Sequence, residues 1–140
     1  KKSDPAFTGD YDLRIDSVKV EVKACRAYDN NKTGGMAERA IPYGSPAPYW
    51  MNFQQLKPDL CDAFIFIGVW TNQIVYWVLS AVEVRNNPYV SHQHRGGIEY
   101  QIGVTDRNIR EFDKYRVEPS KIGNVTIDKG RLSKANPPTK

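Results

Sequence analysis

Residues 9–26 read Gly9-Asp10-Tyr11-Asp12-Leu13-Arg14-Ile15-Asp16-Ser17-Val18-Lys19-Val20-Glu21-Val22-Lys23-Ala24-Cys25-Arg26. Tyr11, Leu13 and Ile15 alternate with Asp10, Asp12, Arg14 and Asp16. Beyond Ser17, Val18, Val20 and Val22 alternate with Lys19, Glu21 and Lys23. Strict period-two alternation with β-branched residues predicts two short strands joined by a tight turn at Asp16 and Ser17. Alternate side chains share a face, so Glu21 and Lys23 project from the same side of their strand. Antiparallel pairing across so short a turn brings Asp12 beside them. The expected product is two carboxylates and one ammonium on a small patch of sheet.

Such a patch has a chemical use. Two carboxylates hold a hard divalent cation such as Mg²⁺, which keeps positions open for water and for a phosphate oxygen. A lysine beside the cation positions the attacking water and offsets developing charge. On spacing alone, a solvated hairpin with a charged outer face is the commoner explanation.

Asp12 followed by Glu21-Val22-Lys23 on consecutive strands resembles the catalytic signature of the PD-(D/E)XK nuclease superfamily, in the form D-(x)8-E-V-K found among restriction endonucleases. Tyr11 stands where the motif's name has proline. The resemblance covers residues 9–84 best. It implies an α/β (α+β) fold: a mixed central sheet flanked by helices, with a restriction-endonuclease-like core. It implies that Asp12 and Glu21, helped by the Val22 carbonyl, bind Mg²⁺, for which Mn²⁺ substitutes, and that Lys23 orients the water. The expected activity is a type II restriction endonuclease cutting double-stranded DNA as a homodimer. Two alternatives stay open: a structure-specific repair or resolvase-type nuclease of the same superfamily, and a non-catalytic nucleic-acid-binding module. The family pattern also has a helix before the first acidic strand, and residues 1–9 are too few for one. The expectation is either that this helix lies on absent sequence or that this protein departs from the pattern.

The 140 residues suit a single domain, with a core over about 9–115 and a polar tail over about 121–140. A formal charge of +4 permits a polyanionic partner without demanding one. Cys25 and Cys61 are the only cysteines, which fits a reducing cytoplasm better than a disulfide framework. No signal peptide heads the chain, and no apolar run is long enough to span a bilayer, so no membrane association is expected.

Along the chain, residues 28–49 are rich in Asn, Gly and Pro and read as a long loop. Lys32 and Arg39 within it are candidate DNA contacts, or simply part of a surface excursion. Residues 52–57 read as a short helix capped by Asn52 and stopped by Pro58, with Phe53 and Leu56 facing inward. In restriction enzymes resembling this chain, a glutamine on the helix after the E-x-K strand reaches the active site; Gln55 or Gln54 would fill that role. Residues 61–70 form a nearly continuous apolar run, as in a central strand buried on both faces. Thr71-Asn72 makes a hairpin turn, and residues 73–84 read as one more long strand, with Trp70 and Trp77 in the core. Between residues 85 and 97, turn formers mix with hydrogen-bonding side chains, and His92, Gln93, His94 and Arg95 are candidate base or phosphate contacts. A metal pair of His92 and His94 with the two cysteines competes, but no C-x-x-C spacing supports it. Residues 99–105 read as a strand, and Asp106 as the cap of a helix over about 107–115 with Ile109 and Phe112 facing the core.

Overall fold

A computed structural model describes residues 11–92 and 99–135. The alternation of the opening hairpin is realised as β1 (Leu13–Ile15) and β2 (Val18–Arg26). They pair antiparallel in the register Leu13↔Val20, Arg14↔Lys19 and Ile15↔Val18. The turn closes on Asp16 at φ 55°, in the left-handed region that Asp tolerates better than most residues. β4 (Ala63–Val69) runs parallel to β2 and antiparallel to β5 (Ile74–Ser80). With the short β8 (Arg116–Val117), they form a mixed sheet in the order β1-β2-β4-β5-β8. β4 lies at its centre and buries both faces, which explains the unbroken apolar run in its sequence.

The fold is α+β, and the two faces of this sheet are covered by different things. On one face Val18, Val20, Ala63, Ile65 and Val78 form a cluster with Ile122 and Val125 of α3 (Ile122–Ala135). On the other, Phe64, Phe66, Trp77 and Leu79 meet a second sheet, with Phe112 packed against Trp77. That sheet has the order β3-β7-β6, from β3 (Trp50–Leu56), β7 (Tyr100–Thr105) and β6 (Val90–His92). Met51, Phe53, Leu56, Ile102 and Val104 are its buried contribution, and Phe53 stacks on Phe66 with ring centroids 4.5 Å apart.

Three expectations from the sequence are corrected. Residues 52–57 are not a helix but belong to β3. Met51 and Phe53 bury at period two against β7, and an irregularity between Phe53 and Leu56 inserts the exposed Gln54 and Gln55 before Leu56 turns inward again. That bulge lengthens the apolar spacing from two to three and imitates a helix. The long strand over 73–84 ends at Ser80, where a capping box starts α2 (Ala81–Arg85). The Ser80 side chain accepts from the Glu83 N–H at 3.1 Å, and the Glu83 carboxylate from the Ser80 N–H at 2.9 Å. The third correction concerns residues 122–135, read as a polar tail and in fact α3, seated on β2, β4 and β5. Its buried residues are Thr126, Gly130 and Ser133, whose i, i+4, i+7 spacing is helical but whose side chains are small or polar. Apolar periodicity therefore does not reveal it.

Elsewhere the differences are local. The loop over 28–49 holds the one-turn α1 (Met36–Arg39) and a bridge between Tyr28 and Ala40. The helix after β7 is a 3₁₀ segment, Ile109–Tyr115, with Asn108 at its cap position instead of Asp106. Phe112 is buried in it as expected.

Candidate active site

β1 stops pairing at Leu13, and Asp12 just beyond it lies against the Val20–Val22 stretch of β2 that carries Glu21. The Asp12 N–H donates to the Val20 carbonyl at 2.9 Å, and the Asp12 carboxylate accepts the Val22 N–H at 2.8 Å. Within a strand the N–H and C=O of one residue point to the same edge. The Val22 carbonyl therefore faces the Asp12 side of β2, beyond the point where β1 stops pairing. Glu21 and Lys23 extend from β2 on the face that packs against the second sheet, and the Lys23 ammonium lies 3.2 Å from Glu21 Oε2.

Glu21 is only 4 % exposed. Its other oxygen, Oε1, accepts the Lys57 backbone N–H at 3.3 Å and faces Cys61 Sγ at 3.7 Å. Burial pushes its carboxyl above the ordinary value, while Lys23 and the Lys57 N–H act in the opposite direction. Cys61 is held strongly in the thiol form by burial and then by the neighbouring Glu21. Cys25, whose thiol donates to the Asn52 carbonyl at 3.4 Å, is pushed up to about 11 by burial. Neither cysteine is in the low-pKa setting of a nucleophile.

Sequence reasoning named Asp12, Glu21, Val22 and Lys23 as candidates and did not name the contacts behind Glu21. Lys57 acts there through its backbone, and Cys61 arrives from 40 residues away. No residue-type pattern announces either contact. Gln54 and Gln55 stand on the bulge of β3, just before the Lys57 N–H that touches Glu21. Gln55 has φ 57°, an uncommon left-handed conformation for a residue with a side chain. Bulges are frequent beside active sites because they re-aim side chains.

Two carboxylates and a carbonyl are all oxygen ligands, as Mg²⁺ and Mn²⁺ prefer, and Mg²⁺ completes its shell with water and substrate phosphate. Lys23 is partly solvent-exposed, so its ammonium has room to leave Glu21 Oε2. The residues fit such an ion. Among the described residues, no three or more His, Cys, Asp or Glu side chains gather as a metal site.

Of the remaining candidates, Lys32 is exposed in the loop and Arg39 lies over the Tyr28 ring, 5.2 Å from its centroid. His92 packs against Tyr100 with ring centroids 4.5 Å apart. Gln93, His94 and Arg95 lie outside the described residues. No helix among the described residues is long and apolar enough to cross a membrane. No family model, curated protein or solved structure matches the chain.

Proposed function

We propose that this chain is a divalent-metal-dependent endonuclease acting on double-stranded DNA, of the type II restriction class. The observation that carries the reading is the Asp12 carboxylate bonded to the Val22 N–H beside buried Glu21, with the Lys23 ammonium 3.2 Å from Glu21. A buried carboxylate held by a backbone N–H and a lysine costs stability that a merely solvated hairpin would not incur.

In this reading Asp12, Glu21 and the Val22 carbonyl hold Mg²⁺, or Mn²⁺ in its place. When bound, the cation supplies Lewis-acid activation of water and neutralises charge on the phosphate. Lys57 N–H and Cys61 keep the Glu21 carboxylate in one orientation. Lys23 orients the attacking water and stabilises charge as it develops on the phosphoryl oxygens. In-line attack expels the 3′ oxygen and leaves a 5′ phosphate. Gln55 or Gln54, on the bulge of β3 two to three residues before Lys57, supports the water in this reading. Cutting both strands calls for two such sites and hence a homodimer. Two free thiols suit a reducing cytoplasm.

The test is incubation of the pure protein with plasmid and phage DNA, with Mg²⁺ and with chelator. Discrete Mg²⁺-dependent fragments support restriction. A smear, or preference for branched substrates, identifies a repair or resolvase-type nuclease instead. Unchanged DNA under every condition rejects catalysis and leaves a binding module.

A further inference from the structure

The outer face of the β3-β7-β6 sheet is unlike its inner one. Inward, Met51 and Phe53 meet Ile102 and Val104 in the core. Outward stand the alternate residues Trp50, Asn52, Ser91, Gln101 and Gly103, which with Arg107 line an open hollow of about 450 Å³. Of the three tryptophans, Trp70 and Trp77 are 4 % and 1 % exposed, whereas Trp50 is 57 % exposed. A large indole left in water on a sheet face calls for an explanation.

Its setting is built for it. A Cβ at Gly103 would stand 2.6 Å from Trp50 Nε1, so the indole lies across the β7 backbone where only glycine leaves room. Beside it, Asn52 Nδ2 donates to Gln101 Oε1 at 3.0 Å, fixing two half-buried amides against each other. That bond uses one group from each amide. Asn52 keeps its carbonyl oxygen to accept with, and Gln101 keeps its amino group to donate with. The exposed Arg107 adds a cation at the same hollow.

An aromatic plane, an acceptor beside a donor, and a nearby guanidinium complement one chemical class well. An unpaired nucleobase stacks on the indole, presents its own donor and acceptor to the amides, and carries a phosphate for the arginine. Tryptophan and amides also suit a neutral sugar, but the guanidinium and the chain's charge of +4 favour a polyanion. We infer that the outer face of this sheet binds an unpaired nucleotide segment of DNA, with Trp50 as the stacking platform and Asn52 and Gln101 contacting the base edge. The inference goes beyond the nuclease reading and borrows from it only the choice of DNA as the polymer. The surface uses neither Asp12, Glu21 nor Lys23 and needs no metal.

The experiment uses the full chain in chelator, titrated with oligodeoxyadenylate and oligothymidylate dodecamers, a fully paired 12-base-pair duplex, and cellohexaose. Tryptophan emission is the first readout, because Trp70 and Trp77 are buried and a quench reports on Trp50. Anisotropy of labelled oligonucleotide is the second. Expected results are quenching by the single strands, weaker quenching by the duplex, and none by the sugar. Trp50→Ala should weaken single-strand binding by roughly tenfold or more, and Trp50→Phe should lose less. Asn52→Ala, which leaves the platform intact, should even out the two single strands' affinities. No quench by any oligonucleotide, a quench by cellohexaose alone, or unchanged affinity in Trp50→Ala would overturn the inference. Plasmid cleavage in Mg²⁺ is scored separately on the wild type. Cleavage without single-strand binding removes this surface and leaves the nuclease standing, whereas binding without cleavage does the reverse.

Discussion

Replacing Gly130 with alanine pits helix propensity against packing. In α3 the alanine should gain about 0.8–1 kcal/mol over glycine from propensity alone. Its Cβ, however, would stand 2.2 Å from Val18 Cγ1, 2.5 Å from Cγ2 and 2.9 Å from Cβ. Comfortable carbon contacts need about 3.5–4.0 Å, so the nearest one must open by roughly 1.3–1.8 Å. Val18 cannot easily yield, being 1 % exposed and stiff at χ1. Nor is α3 free to lift. The Ser133 hydroxyl accepts from the Ala81 N–H at 2.9 Å and donates to the Asp62 carbonyl, and Lys129 bonds Glu83. Overpacking of this kind costs about 1–3 kcal/mol, and an approach of 2.2 Å puts this case in the upper part of that range, about 2–3 kcal/mol, so after the propensity gain the net effect should be destabilisation by roughly 1–2 kcal/mol. Gly123→Ala in the same helix is the control. Nothing lies within 4 Å of its added Cβ, and it should be neutral or stabilising by up to about 0.5–1 kcal/mol. Urea melts of both variants, with Val18→Ala and the Val18→Ala/Gly130→Ala double, complete the set. The double should be more stable than the sum of its singles by at least about 0.5 kcal/mol, because each change makes room for the other. A Gly130→Ala protein as stable as wild type, or strict additivity, would mean that α3 is not seated on Val18. The C-terminal segment would then be the polar tail its composition suggests.

Lys23→Ala should lower cleavage by about 10²–10³-fold or more while leaving the fold and DNA affinity nearly intact, since phosphate contacts are spread over many basic residues; wild-type rates would remove Lys23 from the chemistry. Burial raises the Glu21 carboxyl above its ordinary 4.5, so its ionisation costs stability: that stability is full below pH 4.5 and lost as pH rises through the folded-state value. Glu21→Gln in chelator should therefore melt higher than wild type at pH 7, with the gap closing below about pH 4.5. An equal gap at both pH values would refute the assignment of burial as the dominant cause. Millimolar Mg²⁺ or Mn²⁺ should raise the melting temperature of the wild type, by about 2.7 kcal/mol of linkage at a hundredfold excess over Kd, and more clearly with DNA present. Asp12→Ala/Glu21→Ala should abolish that rise, and a shift that persists there points to metal bound elsewhere.

What was legible in the chain was what neighbouring residues decide together. The β1–β2 hairpin, its turn at Asp16 and the Asp12/Glu21/Lys23 cluster follow from period-two alternation over 14 residues, because both partners of each pair lie in the same stretch. β4 was legible because a strand buried on both faces needs no periodicity, only an apolar run. The misreadings have separate causes. At β3, the apolar spacing Phe53–Leu56 is set by a bulge whose register belongs to β7, some 50 residues downstream. At α2, the Ser80/Glu83 pair is a local signal hidden inside an apolar run.

The long-range logic of β3 also explains why the site is more than its motif. On the proposed reading D-(x)8-E-V-K supplies the reacting groups, but a carboxylate on a strand face has several rotamers and would spend its time in water. Glu21 is withdrawn from water because β3 crosses that face of the sheet and ends just before Lys57, whose N–H meets Oε1, while Cys61 Sγ meets the same oxygen. β3 can end there only if the bulge at Gln54–Gln55 turns Leu56 into the core. The bulge that misleads a reading by periodicity is thus the feature that brings Lys57 onto Glu21. Removing it should loosen the carboxylate without touching Asp12, Glu21 or Lys23. A single-residue deletion at Gln55 would restore plain alternation from Met51 to Leu56 and slip Lys57 by one position. Cleavage should fall even though the three charged residues remain, and the Glu21→Gln stability gain should shrink as the carboxylate regains water. If the deletion variant cuts DNA at the wild-type rate, the bulge is packing detail and the motif alone is sufficient.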